Sequence, residues 1–240
     1  MRAAQTTTTT ILIPTTMTRV PRTARILDRS IYFGRVDALG ETWRQWAEIA
    51  EGLQPGEWAA ASRCDGWDVA CLYAHHSLFP LALSGSVQPA PDQFGDKGPL
   101  TAAEILRGFN VRDGAAHTMA EAVAGRARAD AGRLSPEELT RRFSPVANQA
   151  LNALRNAPPD MLVTWPRTDG VVPMQEAVRI VLLESAVHLL DVLRALGREP
   201  AVDEGALREV AALLAEVASP VELIEAATGR SPTSPFPLLR

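Results

Sequence analysis

The stretch MQEAVRIVLLESAVHLLDVLRALG, residues 174–197, decides the fold because it is the strongest helical pattern in the chain. Its apolar residues recur at steps of three and four, which is the period of an amphipathic α-helix. Gly197 follows the last apolar position and marks the C-terminus of the helix. Glu184, His188 and Asp191 interrupt the apolar pattern at i, i+4 and i+7, so a helix presents all three on one face.

The same face continues through Ala177, Ile180 and Val181, so the polar residues have no evident solvent-facing side. Burying a carboxylate and an imidazole is costly unless a partner compensates for the lost hydration. A divalent metal ion is the simplest partner, because side chains one helical turn apart can converge on one ion. The plainer alternative is that Glu184 and His188 form an i,i+4 pair at the edge of the apolar stripe.

A second predicted helix weakens that plainer alternative. Asp68 is its candidate N-cap, and its apolar stripe includes His75 and His76. The chain has four histidines, and three of them fall on these two helices. Two histidines and one glutamate would leave a metal position open, which is the pattern of a catalytic site. Asp191 is then either an acceptor for the free N–H of a ligating imidazole or a surface residue near the helix end.

Caps and helix breakers bound the remaining predicted helices. These are an amphipathic helix from Arg25 to Pro55, a helix from the Thr101–Glu104 capping box to about Gly125, a helix from Ser135 with a break at Pro145, and two helices over 203–218 and 219–228. Residues 158–173 are expected to be irregular or shortly extended. No alternating apolar run exceeds four residues, so the pattern predicts an all-α bundle of four core helices.

Composition divides the chain into three parts. Residues 1–24 form a threonine-rich leader that cannot bury enough surface to order itself. Residues 25–197 form the bundle, and residues 198–240 form a short helical C-terminal extension. An exposed helix face would allow a homodimer, but the pattern does not identify that face.

The overall composition excludes several classes of protein. Hydrophobic residues make up 46% and charged residues 22%, as in ordinary globular proteins. The net charge of -4 offers no basic surface for nucleic acid, and no apolar run reaches the ~20 residues that a membrane span needs. Cys64 and Cys71 lie too close together to organise a secreted disulfide framework, so we expect a cytoplasmic protein.

Two motifs on the helices resemble a known family. Residues 62–75, SRCDGWDVACLYAH, are similar to the signature CxGWTVxDLVAH of the mycothiol-dependent maleylpyruvate isomerase family. Residues 184–197, ESAVHLLDVLRALG, resemble ExxxHxxDLxxALG of the same family. The order, spacing and helical placement agree over about residues 28–197, and two linked motifs are more specific than either one alone.

The resemblance implies a DinB-like four-helix bundle that binds a divalent metal, usually zinc, through His75, Glu184 and His188. It also implies a small-molecule substrate and, as cosubstrate, mycothiol, a low-molecular-weight sugar thiol of actinobacteria. The arginine bias of the chain fits a GC-rich host of that kind, since 23 of its 24 basic residues are arginine.

The chain also departs from the family pattern. His76 replaces an apolar residue and is a candidate pocket group or competing ligand, whereas Cys71 replaces a common aspartate. We favour Cys71 as a small buried hydrophobe over an extra soft ligand. Only 43 residues follow Gly197 and they read as helical, so the smaller α/β domain of the isomerases is not expected. Arg230 resembles an arginine of shorter members; it is a candidate for binding an anionic substrate group, and a surface arginine is the plainer interpretation.

Three functions are compatible with these patterns. The first is an enzyme whose metal activates mycothiol for attack on a small electrophile, giving isomerisation or S-transfer. The second is a metal-dependent hydrolase, lyase or cyclase that uses no thiol, with His76 or Asp191 as acid/base group. The third is a non-catalytic metal- or small-molecule-binding protein on the same scaffold.

Overall fold

The computed structural model describes residues 22–85, 87–91, 98–166, 168, 170–231 and 233–239, with side chains from Arg29 onward. Residues 1–21 of the predicted leader lie outside the described residues. Its last three residues, 22–24, belong to the first helix, which begins at Arg22. The helices are α1 (Arg22–Gly52), α2 (Val69–His76), α3 (Leu78–Leu83), α4 (Ala102–Asn110), α5 (Ala115–Thr118), α6 (Ala120–Ala131), α7 (Pro136–Arg141), α8 (Ala147–Asn156), α9 (Met174–Ala195), α10 (Glu204–Val217) and α11 (Pro220–Ala227). A short 3-10 helix covers Glu57–Ala59, and the strands are β1 (Leu162–Thr164) and β2 (Val171–Pro173).

Four helical segments form the predicted all-α, DinB-like bundle. They are α1, the pair α2–α3, the run α7–α8, and α9. Helix α1 packs against both α9 and α8, α2 packs against α9, and α3 packs against α8. The apolar stripe of α1 faces this core, where Trp43 and Trp46 are completely buried. Tyr32 ties α1 to α8, because its hydroxyl donates a hydrogen bond of 2.7 Å to the Leu154 carbonyl.

The helix that was predicted to break at Pro145 is not broken there. The backbone stays helical and widens into a π turn over Arg142–Val146, which leads directly into α8. A wider turn accommodates a proline, which has no N–H to donate and whose ring would crowd a regular α-turn. The π turn also carries Phe143, which is buried against the ring of Trp46.

The helix predicted from Thr101 to Gly125 is three shorter helices, α4, α5 and α6. The chain turns after α4, where the Gly114 N–H donates to the Val111 carbonyl. A Cβ on Gly114 would lie 2.3 Å from the Phe109 carbonyl oxygen, so only glycine fits this turn. The turn separates α4 from α6. Helix α4 packs against α10 and α9, whereas α6 packs against α2.

The segment after α8 holds a short antiparallel hairpin. Strands β1 and β2 pair with Val163 opposite Val172, which agrees with the expected short extended segment. Most predicted caps are present as well. Thr101 and Glu104 form a capping box, and the left-handed glycine Gly197 follows α9.

The C-terminal helices are helical as expected. Helix α10 packs against α9, α4 and α1, and its Val210 and Leu213 belong to the main hydrophobic cluster. Helix α11 is different, because none of its residues is buried. No helix in the described part of the chain combines the length and apolar character that crossing a bilayer requires.

The N-cap of α2 matters because this short helix carries His75. The Asp68 carboxylate accepts a hydrogen bond of 2.8 Å from the Cys71 N–H. We expect Asp68→Ala to lower the free energy of unfolding by about 1 kcal/mol, the usual value of an N-cap. Urea denaturation measures this loss. Asp68→Asn, which retains a capping oxygen, is the matched control, and an unchanged stability in Asp68→Ala would show that the cap is dispensable.

Candidate metal centre

The packing of α2 against α9 brings His75, Glu184 and His188 together. The Glu184 Oε2 atom lies 3.9 Å from His75 Nε2 and 3.5 Å from His188 Nε2. The nearest donor atoms of the three side chains lie within 4.8 Å of one another. The side chains keep between 17% and 29% of their surface exposed, so the cluster is open to small molecules.

These three side chains fit a divalent ion. Two nitrogen or oxygen atoms that bind the same tetrahedral ion lie about 3.4 Å apart. The distances from Glu184 Oε2 to the two Nε2 atoms, 3.5 and 3.9 Å, are close to this value. Two imidazoles and one carboxylate are a donor set that zinc, iron and nickel accept. Three protein ligands would leave at least one further position for water or substrate.

Asp191 lies beneath His188 on the next turn of α9. Its Oδ2 atom is 3.1 Å from His188 Nδ1, and its Oδ1 atom accepts a hydrogen bond of 2.6 Å from Arg63. The carboxylate is buried, so the position does not match that of a surface residue. An Nδ1–H that donates to Asp191 leaves the Nε2 lone pair of His188 directed at Glu184, as metal ligation requires.

Charge in the cluster is compensated internally. Burial by itself would raise the pKa of Glu184, but hydrogen bonds and charge from His188 and His75 hold it well below its usual value. Burial opposes charge on His188, yet Asp191, Cys64 and Glu184 together raise its pKa well above the usual value. Without an ion, these neighbours favour the protonated form of His188, which lies between two carboxylates, so an ion that binds at Nε2 competes with a proton.

The contact between Asp191 and His188 gives a testable expectation. Asp191→Asn retains the size of the side chain but removes its negative charge, so the imidazole is less basic and less firmly oriented. We expect metal affinity to fall about 10- to 100-fold, the usual effect of losing such a partner. Competition with a metallochromic chelator measures the change. An affinity within a factor of two of the unsubstituted protein would show that Asp191 does not orient the ligand.

Trp67 forms one wall of the centre. Its ring lies 5.0 Å from the ring of His75, edge to face, and 6.2 Å from that of His188, stacked. The ring is positioned by a tight turn in which the Trp67 N–H donates to the Cys64 carbonyl and Gly66 has a φ of 72°. Glycine adopts this conformation without strain, which explains the Gly-Trp pair in the motif.

A pocket of about 140 Å³ opens beside His75. Its apolar wall comes mostly from α6, and its charged residues are Arg126 and Asp130. No sequence pattern predicts this pocket, since it depends on how α6 packs against α2. Through His75 it adjoins the candidate ligand cluster and offers space for the body of a substrate.

His76 lies in the core, and the predicted catalytic role finds no support there. The side chain is completely buried between aromatic rings, stacked 4.9 Å from Trp46. Its Nε2 atom accepts a hydrogen bond of 3.3 Å from the Trp43 indole. Burial lowers the pKa of His76 well below its usual value, so the ring is neutral. We therefore assign His76 to the aromatic core.

The two cysteines occupy different environments. Cys71 is buried, as a small hydrophobe would be, and it belongs to neither potential metal-binding group found among the described residues. Cys64 lies at the centre instead, with its Sγ atom 3.6 Å from Asp191 Oδ2. Helix spacing does not indicate Cys64 as a site residue, because Cys64 lies in the turn before α2 and not on a helix.

Arg230 is exposed just after α11. Its described hydrogen bonds reach back to Glu225 and Thr228, within its own turn. The structure does not bring it to the metal-ligand cluster, so its binding of an anionic group stays a prediction.

Comparison with known proteins agrees with this architecture. The family model described as mycothiol maleylpyruvate isomerase N-terminal domain matches residues 39–193. This range includes all three candidate ligands, Asp191 and the Cys64–Trp67 turn. No curated protein and no solved structure matches the chain significantly. The chain belongs to the mycothiol maleylpyruvate isomerase N-terminal domain family.

Proposed function

We propose that this protein is a metal-dependent enzyme that uses mycothiol to attack a small electrophilic substrate. Release of the thiol from the adduct would give isomerisation, and its retention would give S-transfer. The observation that carries the proposal is the open cluster of His75, Glu184 and His188 in a chain of this family. Such a cluster supports chemistry better than mere structural binding, because three ligands leave a position free.

His75 and His188 would hold the ion through their Nε2 atoms, and Glu184 through Oε2. Zinc is the metal that we propose. When bound, it would lower the pKa of a thiol and favour the thiolate at neutral pH. Glu184 contributes the only negative charge of this ligand set, so the centre keeps a positive charge that favours an anionic sulfur.

The surrounding residues orient the ligands and limit access to them. Asp191 fixes the tautomer of His188, and the guanidinium of Arg63 fixes Asp191 in turn. Trp67 covers the two imidazoles with an apolar ring, which excludes water from that side. The pocket beside His75 offers an apolar wall for the substrate. This chemistry needs a reduced thiol, so we place the protein in the cytoplasm.

Cobalt-substituted protein tests the proposal, because a thiolate on cobalt gives a sulfur-to-metal charge-transfer band. The experiment uses Cys64→Ser, which removes the protein sulfur nearest the centre. We expect mycothiol to produce the band and to release a proton near neutral pH. The S-methyl derivative of mycothiol, which cannot form a thiolate, is the matched control and should produce neither.

If cobalt stays bound and millimolar mycothiol yields neither band nor proton, the thiol-dependent function is wrong. A reaction of the metal-loaded protein without thiol would then have to be sought among hydrolyses, eliminations and cyclisations.

A further inference from the structure

The geometry points to a second metal site, formed by Cys64 Sγ, His188 Nδ1 and Asp191 Oδ2. This site uses Nδ1 of His188, whereas the first cluster uses Nε2 of the same ring. The donor atoms of these three residues lie within 4.8 Å of one another. We propose that this site takes a thiol-seeking divalent ion, such as zinc in excess or cadmium, and that its occupation inhibits the first site.

The separations match those of a tetrahedral centre. Ligand atoms on zinc lie about 3.6 Å apart for a sulfur–oxygen pair and about 3.3 Å apart for a nitrogen–oxygen pair. The corresponding distances here are 3.6 Å from Cys64 Sγ to Asp191 Oδ2 and 3.1 Å from His188 Nδ1 to Asp191 Oδ2. These two separations therefore need little change when an ion binds, and the third pair, Cys64 and His188, lies within 4.8 Å.

The backbone holds Cys64 in place before any ion arrives. Its N–H donates to Ser62 Oγ at 3.1 Å, and its carbonyl accepts from the Trp67 N–H at 3.0 Å. Gly66, with its left-handed φ, closes this turn. A ligand on a fixed turn loses less conformational entropy on binding than one on a mobile loop.

Arg63 determines both the orientation and the selectivity of this site. Its guanidinium binds Oδ1 of Asp191 at 2.6 Å and leaves Oδ2 facing His188 and Cys64. The same positive charge opposes a cation, although 58% of the Arg63 side chain is exposed and water screens it. The thiolate must therefore supply much of the affinity, which favours soft ions over magnesium or calcium.

Sharing His188 couples the two sites. An ion at the second site displaces two protons, one from the Cys64 thiol and one from His188 Nδ1. The hydrogen bond from His188 to Asp191 is then lost, and the ring nitrogen that fixed the tautomer becomes a ligand. The second site is thus weaker than the first, and its occupation disturbs the ligand that the first site relies on.

Cobalt titration of the metal-free 240-residue protein tests the proposal with a readout that needs no activity. In Glu184→Gln, which disables the first site, we expect cobalt to produce a sulfur-to-metal charge-transfer band with one equivalent bound. Adding Cys64→Ser to this variant should abolish the band. Adding Cys71→Ser, the matched control at the other cysteine, should leave it unchanged.

Three outcomes would overturn the second site. They are a band that survives Cys64→Ser, a band lost only in Cys71→Ser, and no band in folded Glu184→Gln at millimolar cobalt. Circular dichroism establishes that each variant is folded. The thiol-dependent function is judged separately, since its test lacks Cys64 and depends on added mycothiol.

Discussion

Replacing Glu184 by glutamine, or either His75 or His188 by alanine, is expected to empty the metal site. Each change removes one of the three candidate ligands that the described residues bring together. Losing a residue that merely orients a ligand costs about 10- to 100-fold in affinity, so losing a ligand should cost at least about 100-fold. Elemental analysis after gel filtration and chelator competition measure the loss, and activity should disappear with the metal.

The fourth histidine of the chain is the matched control for these variants. His117 is exposed on α5, and the structure does not place it in either potential metal-binding group. His117→Ala should retain the metal fully. His76→Ala should also retain it in the folded fraction, at a cost in stability. If His76→Ala emptied the site and His75→Ala did not, the assignment of ligands on α2 would be wrong.

Among the substitutions proposed, Trp46→Ala is expected to lower the free energy of unfolding most. The side chain is completely buried, and its ring stacks on Phe143 and His76 at 4.9 Å each. The indole N–H donates a hydrogen bond of 3.1 Å to the carbonyl of Ser185, which follows Glu184 on α9. Truncating a buried tryptophan costs about 3–5 kcal/mol, a large part of the stability of an ordinary domain.

Chemical denaturation of Trp46→Ala and Trp46→Phe separates packing from hydrogen bonding. Phenylalanine retains an aromatic ring but not the N–H, so we expect it to recover most, though not all, of the lost stability. Metal affinity should change little in Trp46→Phe. A loss of less than 1 kcal/mol in Trp46→Ala would mean that the aromatic stack does not hold α1 to α2 and to the π turn.

The bundle was predictable because its signals are local. Apolar residues at steps of three and four, together with the caps at Asp68 and Thr101 and the stop at Gly197, define helices without knowledge of their neighbours. The form of the chain at Pro145 and the break before Gly114 were not predictable. Each depends on how the surrounding helices pack, and the spacing of residues along the chain does not predict that packing.

The candidate site was predictable to a lesser degree. The spacing of Glu184 and His188 on one face, and the presence of histidines on α2, identified the cluster that the structure assembles. The pattern alone could not choose between His75 and His76, because adjacent residues differ by only 100° around a helix. The roles of Arg63 and Cys64 required the turn before α2 to fold back onto α9, which is a long-range contact.

The metal content of the 240-residue protein tests the central claim most directly. The protein should be purified without a metal-affinity tag and without chelator, then measured by elemental analysis against an accurate protein concentration. We expect about one equivalent of a tightly bound divalent metal per chain, held through dialysis and absent from Glu184→Gln. Less than about a tenth of an equivalent in the folded protein, with no uptake when zinc is added, would contradict a metal centre at His75, Glu184 and His188.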